Sequence, residues 1–350
     1  MEKDQWLKGL MEIPVTDEKA EKEARNHMDQ LTKPLGALGD LEEIVIRLAG
    51  ITGETVPDIE RKGVAVFCGD HGVTEEGVSA YPAEVTGLMI GNFSRGKAAV
   101  TVLARRFGAE VSVVDVGSRL EPLPEGVLDR KVRFGTANMA RGPAMTREET
   151  LKALRVGADL ALQWKENGIQ LAAVGEMGIG NTTSASAVAA VLTGKPVREL
   201  TGRGTGLDDD GLERKREVIT RSLEVNRPDP ADPLDGLAKV GGLEIAAMTG
   251  FILGAARHRL PVVVDGLIST VAALAAVRLA PGVRACLFAS HRSAEPAHGV
   301  LLEDLGLKPL ITAGMRLGEG SGAVLAFPLF DGAVTTAKEM ATFSELGLNG

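Results

Sequence analysis

The chain has 350 residues, of which 44% are apolar, 25% charged and only 3% aromatic, and it carries a net charge of −8. This composition is typical of a globular protein, with room for one large domain and an appendage, or for two domains. The acidic balance and scattered Lys and Arg residues give no electrostatic basis for binding nucleic acid. The N-terminus lacks an apolar signal-peptide core, and no window reaches the ~18 apolar residues of a membrane span. We therefore expect a cytoplasmic protein that binds neither nucleic acid nor membrane.

Two helices are predicted before the first strand. Residues 16–31 are polar and favour a helix, with Thr16 as the N-cap and acidic residues in the first turn. A turn rich in Pro and Gly then leads into an amphipathic helix from about Asp40 to Ala49. Because these helices precede any strand, they are consistent with a separate small helical unit.

From Gly63 onward, short apolar runs alternate with longer helix-like stretches that begin near Ala83, Thr146, Ser184 and Gly242. Strands that are apolar along their whole length, spaced by helices, predict an α/β fold with a parallel sheet covered on both faces. The apolar stretch around 266–277 is interpreted as a buried helix, and 226–242 as an ordered surface loop between helices. The five predicted strands are 64–68, 111–116, 170–174, 261–265 and 285–290.

Each predicted strand ends in a glycine or small polar turn, often with an acidic residue beside it. Open parallel sheets bind ligands outside the carboxyl ends of their strands. One crevice lined by the five loops is therefore expected, although a tight strand-to-helix turn would explain each loop singly.

A glycine-rich loop at 175–183 (GEMGIGNTT) follows a predicted strand and opens a helix. Glycines allow close backbone approach, and a helix N-terminus offers unpaired N–H groups, so the loop suits a phosphate as well as it suits an ordinary tight turn. It is neither a Walker A loop nor a dinucleotide fingerprint. Phosphate binding and an ordinary tight turn thus both remain open for this loop, and those two motifs are excluded.

A second glycine-rich loop, 201–206, is followed by Asp208, Asp209 and Asp210 and then by a charged helix. The three acidic residues suggest either a divalent metal or a helix N-cap, and the cap is favoured. The basic residues 214–216 are expected on a solvated face, with the alternative that one turns inward toward a phosphate or carboxylate.

Two further motifs contain ionisable residues. Asp70 and His71 in GDHG suggest a His–Asp pair, but no G-x-S-x-G nucleophile elbow accompanies it, so a structural turn is preferred. Glu319 lies between glycines and is either exposed and idle or directed into a cleft. The cysteines, Cys68 and Cys286, lie in apolar runs and are interpreted as core residues of a protein in a reducing compartment. Neither they nor the five histidines have metal-ligand spacing, and no metal is expected.

Nine stretches, which together span nearly the whole chain in order, resemble the family of nicotinate-nucleotide–dimethylbenzimidazole phosphoribosyltransferases. These enzymes make the lower-ligand nucleotide of cobalamin. The stretches are LTKPLGALGDLE (31–42), GDHGV (69–73), EGVSAYPAEVT (76–86), GEMGIGNTTSASA (175–187), TGRGTGLD (201–208), PDPADPLDGLAKVGGLEIAAMTG (228–250), VVDGLISTVAAL (263–274), SHRSAEPAH (290–298) and GMRLGEGSGA (314–323).

The resemblance implies a homodimer without a cofactor, in which a Rossmann-like large domain (61–330) carries a small helical domain made from 1–60 and about 331–350. It places the catalytic base at Glu319. It also implies an aromatic-base pocket at Ser79, Tyr81 and Leu317, where Leu88 replaces the family's usual glutamine and so removes a hydrogen-bonding group. The nucleotide contacts it implies are Glu176, Gly178, Gly180, Asn181, Thr182, Gly202, Gly204 and Lys215.

The implied reaction moves the ribose phosphate of nicotinate mononucleotide onto a flat aromatic base, giving an α-riboside. A carboxylate at Glu319 would take the proton that the base loses. Its place just before a predicted helix would favour the anion and weaken it as a base. Two other classes are considered: a dinucleotide-dependent oxidoreductase, which the missing fingerprint disfavours, and a non-catalytic nucleotide sensor, which the intact GEGSG loop disfavours.

Overall fold

The computed structural model describes residues 2–204 and 206–347. Seven strands form a single sheet in which every neighbouring pair is parallel. The α/β class and the parallel sheet predicted from the sequence are therefore confirmed. The strands are β1 (Lys62–Gly69), β2 (Ala109–Gly117), β3 (Val127–Asp129), β4 (Leu171–Met177), β5 (Val262–Val264), β6 (Leu287–His291) and β7 (Pro309–Ile311).

Helices cover both faces of the sheet, and short 3₁₀ turns at Gly72–Glu76 and Pro281–Cys286 add to them. In the described part of the chain the α-helices are α1 (Glu2–Leu10), α2 (Glu18–Gln30), α3 (Asp40–Thr52), α4 (Val85–Ser94), α5 (Ala99–Arg106), α6 (Arg147–Glu166), α7 (Asn181–Thr193), α8 (Val197–Leu200), α9 (Asp209–Asn226), α10 (Pro233–Val240), α11 (Leu243–Arg257), α12 (Leu267–Leu279), α13 (Pro296–Leu305) and α14 (Ser321–Glu339).

The strand order is β3-β2-β1-β4-β5-β6-β7, so the chain winds outward from β1 in one direction and from β4 in the other. The order therefore reverses between β1 and β4. In doubly wound sheets, the loops that leave neighbouring strands at this point diverge and open a crevice at the carboxyl edge. The loops after β1 and β4 are GDHGV and GEMGIGNTT, so the topology puts two of the glycine motifs at this crevice.

The core is built from small aliphatic residues. Strand β1 is buried at every position, and nearly all of α11 is buried as well. Two glycines bring α11 and α6 unusually close: a Cβ on Gly157 would lie 1.8 Å from the Ala247 carbonyl oxygen, and one on Gly250 would lie 1.9 Å from that of Leu154. Close backbone approach explains why this core needs few aromatic side chains.

The two ends of the chain meet. His27 Nε2 lies 2.6 Å from the Ala337 carbonyl oxygen, and Leu31 forms an isolated antiparallel bridge with Thr342. Ala20, Ala24, Ile46 and Ala49 form a small apolar cluster between α2 and α3. These contacts are those expected of a helical unit built from both chain ends, and the division into two domains stays a prediction.

All five predicted strands are present, but several details differ from the sequence prediction. The N-cap of α2 is Asp17, whose Oδ1 accepts from the Ala20 N–H at 3.0 Å, and Thr16 is not the cap. Residues 226–242 are not a continuous loop, because Asp232 accepts two backbone N–H groups and Pro233 starts α10. Strands β3 and β7 were not predicted, since each has only three partly exposed residues.

Among the residues described here, no helix has both the length and the apolar character needed to cross a lipid bilayer. Cys68 and Cys286 are both buried and unpaired, as their apolar surroundings predicted. Burial raises the pKa of both thiols.

Candidate active site

A cavity of about 570 Å³ opens at the carboxyl edge of the sheet. Loops after β4, β5 and β6, the start of α4 and the loop before α14 all contribute to its wall. Its lining residues are Tyr81, Val85, Met89, Glu176, Met177, Gly178, Ile179, Asn181, Thr182, Gly204, Gly266, Leu267, Ile268, His291, Ser293, Glu295, Arg316, Leu317, Gly318 and Glu319. Two other cavities, of about 620 Å³ each, contain none of the glycine-loop residues.

The loop Gly178–Thr182 forms the wall at the N-terminus of α7. Gly180 is the N-cap residue, with φ +93°, and no side chain caps this helix end. Gly178 must lack a side chain, because a Cβ there would lie 2.3 Å from the Gly69 carbonyl oxygen. The loop is anchored where the Ile179 N–H donates to Thr86 Oγ1 at 3.0 Å. The sequence-predicted loop therefore presents a helix N-terminus to the cavity.

Lys215 lies behind this loop and is buried. Its Nζ donates to Thr182 Oγ1 at 2.8 Å and to the Gly202 carbonyl oxygen at 3.3 Å. Burial lowers the pKa of Lys215 to about 8, against the opposing charge of Glu295. Of residues 214–216, Lys215 is thus the one that turns inward. Asp208 is the N-cap of α9, since its Oδ1 accepts from the Gly211 N–H at 2.8 Å, so the cap interpretation of the acidic run is confirmed.

Glu319 also lines the cavity, in the loop before α14. Three consecutive residues have left-handed backbones: Gly318 (φ +87°), Glu319 (φ +66°) and Gly320 (φ +89°). This conformation costs a non-glycine residue about 1–2 kcal/mol. The loop presses against β4 so closely that a Cβ on Gly175 would lie 2.2 Å from the Glu319 carbonyl oxygen. The backbone of Glu319 is therefore held in one defined position, although its left-handed conformation is strained.

The Glu319 carboxylate is 6% exposed, and its Oε2 accepts from the Val100 N–H at 3.2 Å. Burial raises its pKa, and the Val100 N–H opposes that rise. The expectation that a helix N-terminus would make this group a weaker base is therefore wrong in its net direction, because burial outweighs the N–H of Val100 in the first turn of α5. The N–H groups at the start of α14 donate to Asp265 and not to Glu319, so this helix does not stabilise the Glu319 anion by hydrogen bonds.

Glu176 lies beside Glu319 at the end of β4. A Cβ on Gly318 would lie 2.5 Å from Glu176 Oε1, so the two walls touch here. The Asn181 side-chain amide donates to Glu176 Oε2. Burial, together with the neighbouring carboxylates of Glu244, Asp265 and Glu319, raises the pKa of Glu176 to about 8. Glu176 is therefore protonated at neutral pH, while its hydrogen bond fixes Asn181.

The residues assigned to the aromatic base do not all reach the cavity. Tyr81 and Leu317 line its mouth and are 54% and 59% exposed. Ser79 is outside the lining, where its Oγ accepts from the Tyr81 N–H at 3.2 Å. Leu88 is 69% exposed and also outside it; the α4 side chains that face the cavity are Val85 and Met89. The i, i+4 spacing of this pair was the signal in the sequence that could have identified them.

The GDHG motif is structural, as predicted. His71 Nε2 lies 2.7 Å from Glu244 Oε1, and its Nδ1 lies 3.0 Å from Ser184 Oγ. The line Ser184–His71–Glu244 has the composition of a nucleophilic triad, yet all three side chains are buried and none lines the cavity. The His71 ring instead supports the loop Gly178–Thr182 from behind, 3.3 Å from where a Cβ on Gly178 would be.

The fold and this cavity are those of an α/β enzyme of the doubly wound class. Comparison with known proteins then defines the family, because a family model described as "Phosphoribosyltransferase" matches residues 13–348. The chain belongs to this phosphoribosyltransferase family, so the family predicted from the motifs is confirmed.

Curated relatives and solved structures agree. A protein of Desulforudis audaxviator (strain MP104C), named nicotinate-nucleotide–dimethylbenzimidazole phosphoribosyltransferase, is 54% identical over 334 residues, which are 95% of each chain. One with the same name from Halalkalibacterium halodurans is 51% identical over 334 residues, covering 95% of this chain and 94% of the relative. The crystal structure of CobT from Thermus thermophilus is 48% identical, with a TM-score of 0.90, and the match covers 95% of this chain and 99% of that one.

Proposed function

We propose that the enzyme transfers the 5-phosphoribosyl group of nicotinate mononucleotide to 5,6-dimethylbenzimidazole or a similar aromatic base, in cobalamin biosynthesis. The observation that carries the proposal is that one cavity has a glycine-rich helix N-terminus on one wall and the buried carboxylate of Glu319 on another. The names of the relatives supply the substrates, and this geometry supports them.

The phosphate is proposed to bind at the loop Gly178–Thr182. The uncapped N-terminus of α7 offers N–H groups and the positive end of the helix dipole. Lys215 adds a positive charge within reach of Thr182. Gly204 leaves room beside its Nζ, and Gly202 leaves room for Glu295. Glu176 is protonated, so it adds no negative charge that would repel the phosphate.

The reaction follows from the chemistry of the two rings. The nicotinate ring of the nucleotide is a pyridinium. When its bond to the anomeric carbon breaks, the ring nitrogen keeps the electron pair and becomes a neutral pyridine nitrogen. A nitrogen of the incoming base forms the new bond from the opposite face, which converts a β-nucleotide into an α-riboside. The base becomes cationic, and its second N–H loses a proton to Glu319. A raised pKa makes Glu319 better suited to accept that proton near neutral pH.

The aromatic base is proposed to bind at the apolar mouth, between Tyr81 and Leu317, with Ser79 and Leu88 close by. We further propose that the enzyme works in the cytoplasm as a homodimer that needs neither a metal nor a cofactor. Light scattering tests the dimer: a mass near twice 36.7 kDa supports it, and a mass near 36.7 kDa contradicts it.

Turnover is the test of the function. The protein is incubated with nicotinate mononucleotide and each of a panel of benzimidazoles, purines and phenols, and nicotinate release is measured. We expect release that depends on a benzimidazole, with the α-riboside 5′-phosphate as the second product. Tight nucleotide binding without release under every condition would instead support a non-catalytic sensor.

A further inference from the structure

Asp265, at the end of β5, accepts hydrogen bonds from three backbone N–H groups at the start of α14. Its Oδ1 accepts from Gly322 N at 2.7 Å and from Ala323 N at 3.0 Å, and its Oδ2 accepts from Gly320 N at 3.1 Å. Asp265 is 2% exposed and does not line the cavity. It therefore contacts the loop that carries Glu319 without being able to contact a ligand.

This contact replaces a cap that the helix lacks. The N-cap of α14 is Gly320, which has no side chain and a left-handed backbone. The first N–H groups of a helix have no partner within the helix and need an acceptor elsewhere. Because Gly320 is one of the three donors, Asp265 also ties down the residue that follows Glu319.

Asp265 is itself rigidly held. Its own N–H donates to Ser269 Oγ at 2.9 Å, and Ser290 Oγ donates to its carbonyl oxygen at 3.2 Å. Gly322 leaves room for the carboxylate, since a Cβ there would lie 2.9 Å from Asp265 Oδ1. Burial raises the pKa of Asp265 to about 7 and the three amide N–H groups oppose that rise, so the anion and the loop conformation stabilise each other.

We propose that Asp265 is a positioning residue, which holds the left-handed segment Gly318–Gly320 so that the Glu319 carboxylate stays aimed into the cavity. The proposal rests on the role of Glu319 proposed above. Without the three N–H contacts, the strained backbone at Glu319 is opposed only by the Ser321 N–H and Oγ, which donate to the Gly318 carbonyl oxygen, and by the Val100 N–H, so the carboxylate moves. A displacement of about 1 Å at a catalytic group costs on the order of 10²-fold in rate.

The test is a double-mutant cycle of Asp265→Asn with Glu319→Gln, using the complete protein. Asparagine keeps the shape but offers one acceptor oxygen, and its NH₂ group would face a backbone donor. We expect Asp265→Asn to lower kcat by about 10- to 100-fold, with the KM for nicotinate mononucleotide within about threefold of wild type. In the Glu319→Gln background, the same change should have almost no further effect, because the carboxylate that Asp265 positions is already absent.

A full multiplicative loss in the Glu319→Gln background, or wild-type kcat for Asp265→Asn alone, would overturn the proposal. If Glu319→Gln itself keeps normal turnover, the assignment of the base has failed, which is a different result. Asp265→Ser, which leaves space for a water, provides a second variant with the same expected cycle if asparagine impairs folding. Asp232→Ala is the matched control: it removes a carboxylate that caps α10 away from the cavity, so it should lower Tm and leave kcat unchanged.

Discussion

Two helices present their N-termini near one another at the cavity, and they begin in the same way. Helix α7 follows Gly178-Ile-Gly180, and α14 follows Gly318-Glu-Gly320. Both N-cap glycines are left-handed, with φ +93° and φ +89°, and neither offers a side chain to the first turn. The two starts differ in what satisfies their N–H groups.

The first turn of α14 is satisfied inside the protein, because Asp265 accepts from three of its N–H groups. No side chain in the described residues caps α7, and the buried Lys215 Nζ donates to Thr182 Oγ1 in its first turn at 2.8 Å. One helix end therefore has its positive partial charge neutralised, and we propose that it serves as a rigid support for Glu319. The other end is proposed to keep its positive partial charge for a ligand anion. The same backbone geometry has two uses, and the neighbouring side chain decides between them.

Of the changes that test the two helix starts, the largest effect is expected from adding one methyl group to either loop. Gly178→Ala places a Cβ 2.3 Å from the Gly69 carbonyl oxygen, so the α7 loop must move, and affinity for nicotinate mononucleotide should fall by roughly 10²-fold. Gly318→Ala, at φ +87° and 2.5 Å from Glu176 Oε1, should instead lower turnover by a similar factor. Calorimetry and steady-state kinetics separate the two effects. Gly332→Ala, with open space at its Cβ, is the control and should change neither.

Removing the positive charge at α7 is expected to have a smaller effect. Lys215→Met should weaken binding of nicotinate mononucleotide by about 10- to 100-fold, the value of a hydrogen bond to a charged group. Because the pKa of Lys215 is lowered to about 8, the charge is present below pH 8 and lost above it. In the wild type, kcat/KM should therefore fall as the pH rises through about 8.

Glu176 titrates in the same range, so its variant is the control for this pH profile. In Glu176→Gln the fall above pH 8 should persist, and in Lys215→Met it should disappear. An unchanged fall in Lys215→Met would remove Lys215 from the phosphate site.

The space between the two helix ends should decide which base is accepted. Met89 lines the cavity, and Leu88, the preceding residue in the chain, points outward. Met89→Gln should change the ranking of aromatic bases by about 10-fold in kcat/KM, and Leu88→Gln should leave it within about twofold. The reverse result would mean that Leu88 contacts the base, although it does not line the cavity in this structure.

The smallest effect tests the backbone strain at α14 by itself. Glu319→Gly and Glu319→Ala both delete the carboxylate, but only glycine is at ease at φ +66°. Urea unfolding should show the glycine variant to be about 1 kcal/mol more stable than the alanine variant. At an ordinary φ the order would be reversed, and observing that order would contradict the strained loop.

The sequence predicted the parts of the site that depend on local pattern. Five strands, the glycine loop before α7 and the inward lysine as one alternative all follow from apolar runs and glycine spacing. The cap by Asp265 could not be predicted, because its three donors are more than 50 positions away in the chain. The rise in the pKa of Glu319 was missed for a related reason, because it comes from burial of the carboxylate, which only the tertiary structure determines.

The central claim is that α7 binds the nucleotide and Glu319 takes the proton from the base. Glu319→Gln tests it most directly, because the amide keeps the size of the side chain and cannot accept that proton. Calorimetric affinity for nicotinate mononucleotide should stay within about threefold of wild type, and turnover with 5,6-dimethylbenzimidazole should fall by roughly 10²- to 10⁴-fold. Near-normal turnover in this variant would contradict the claim.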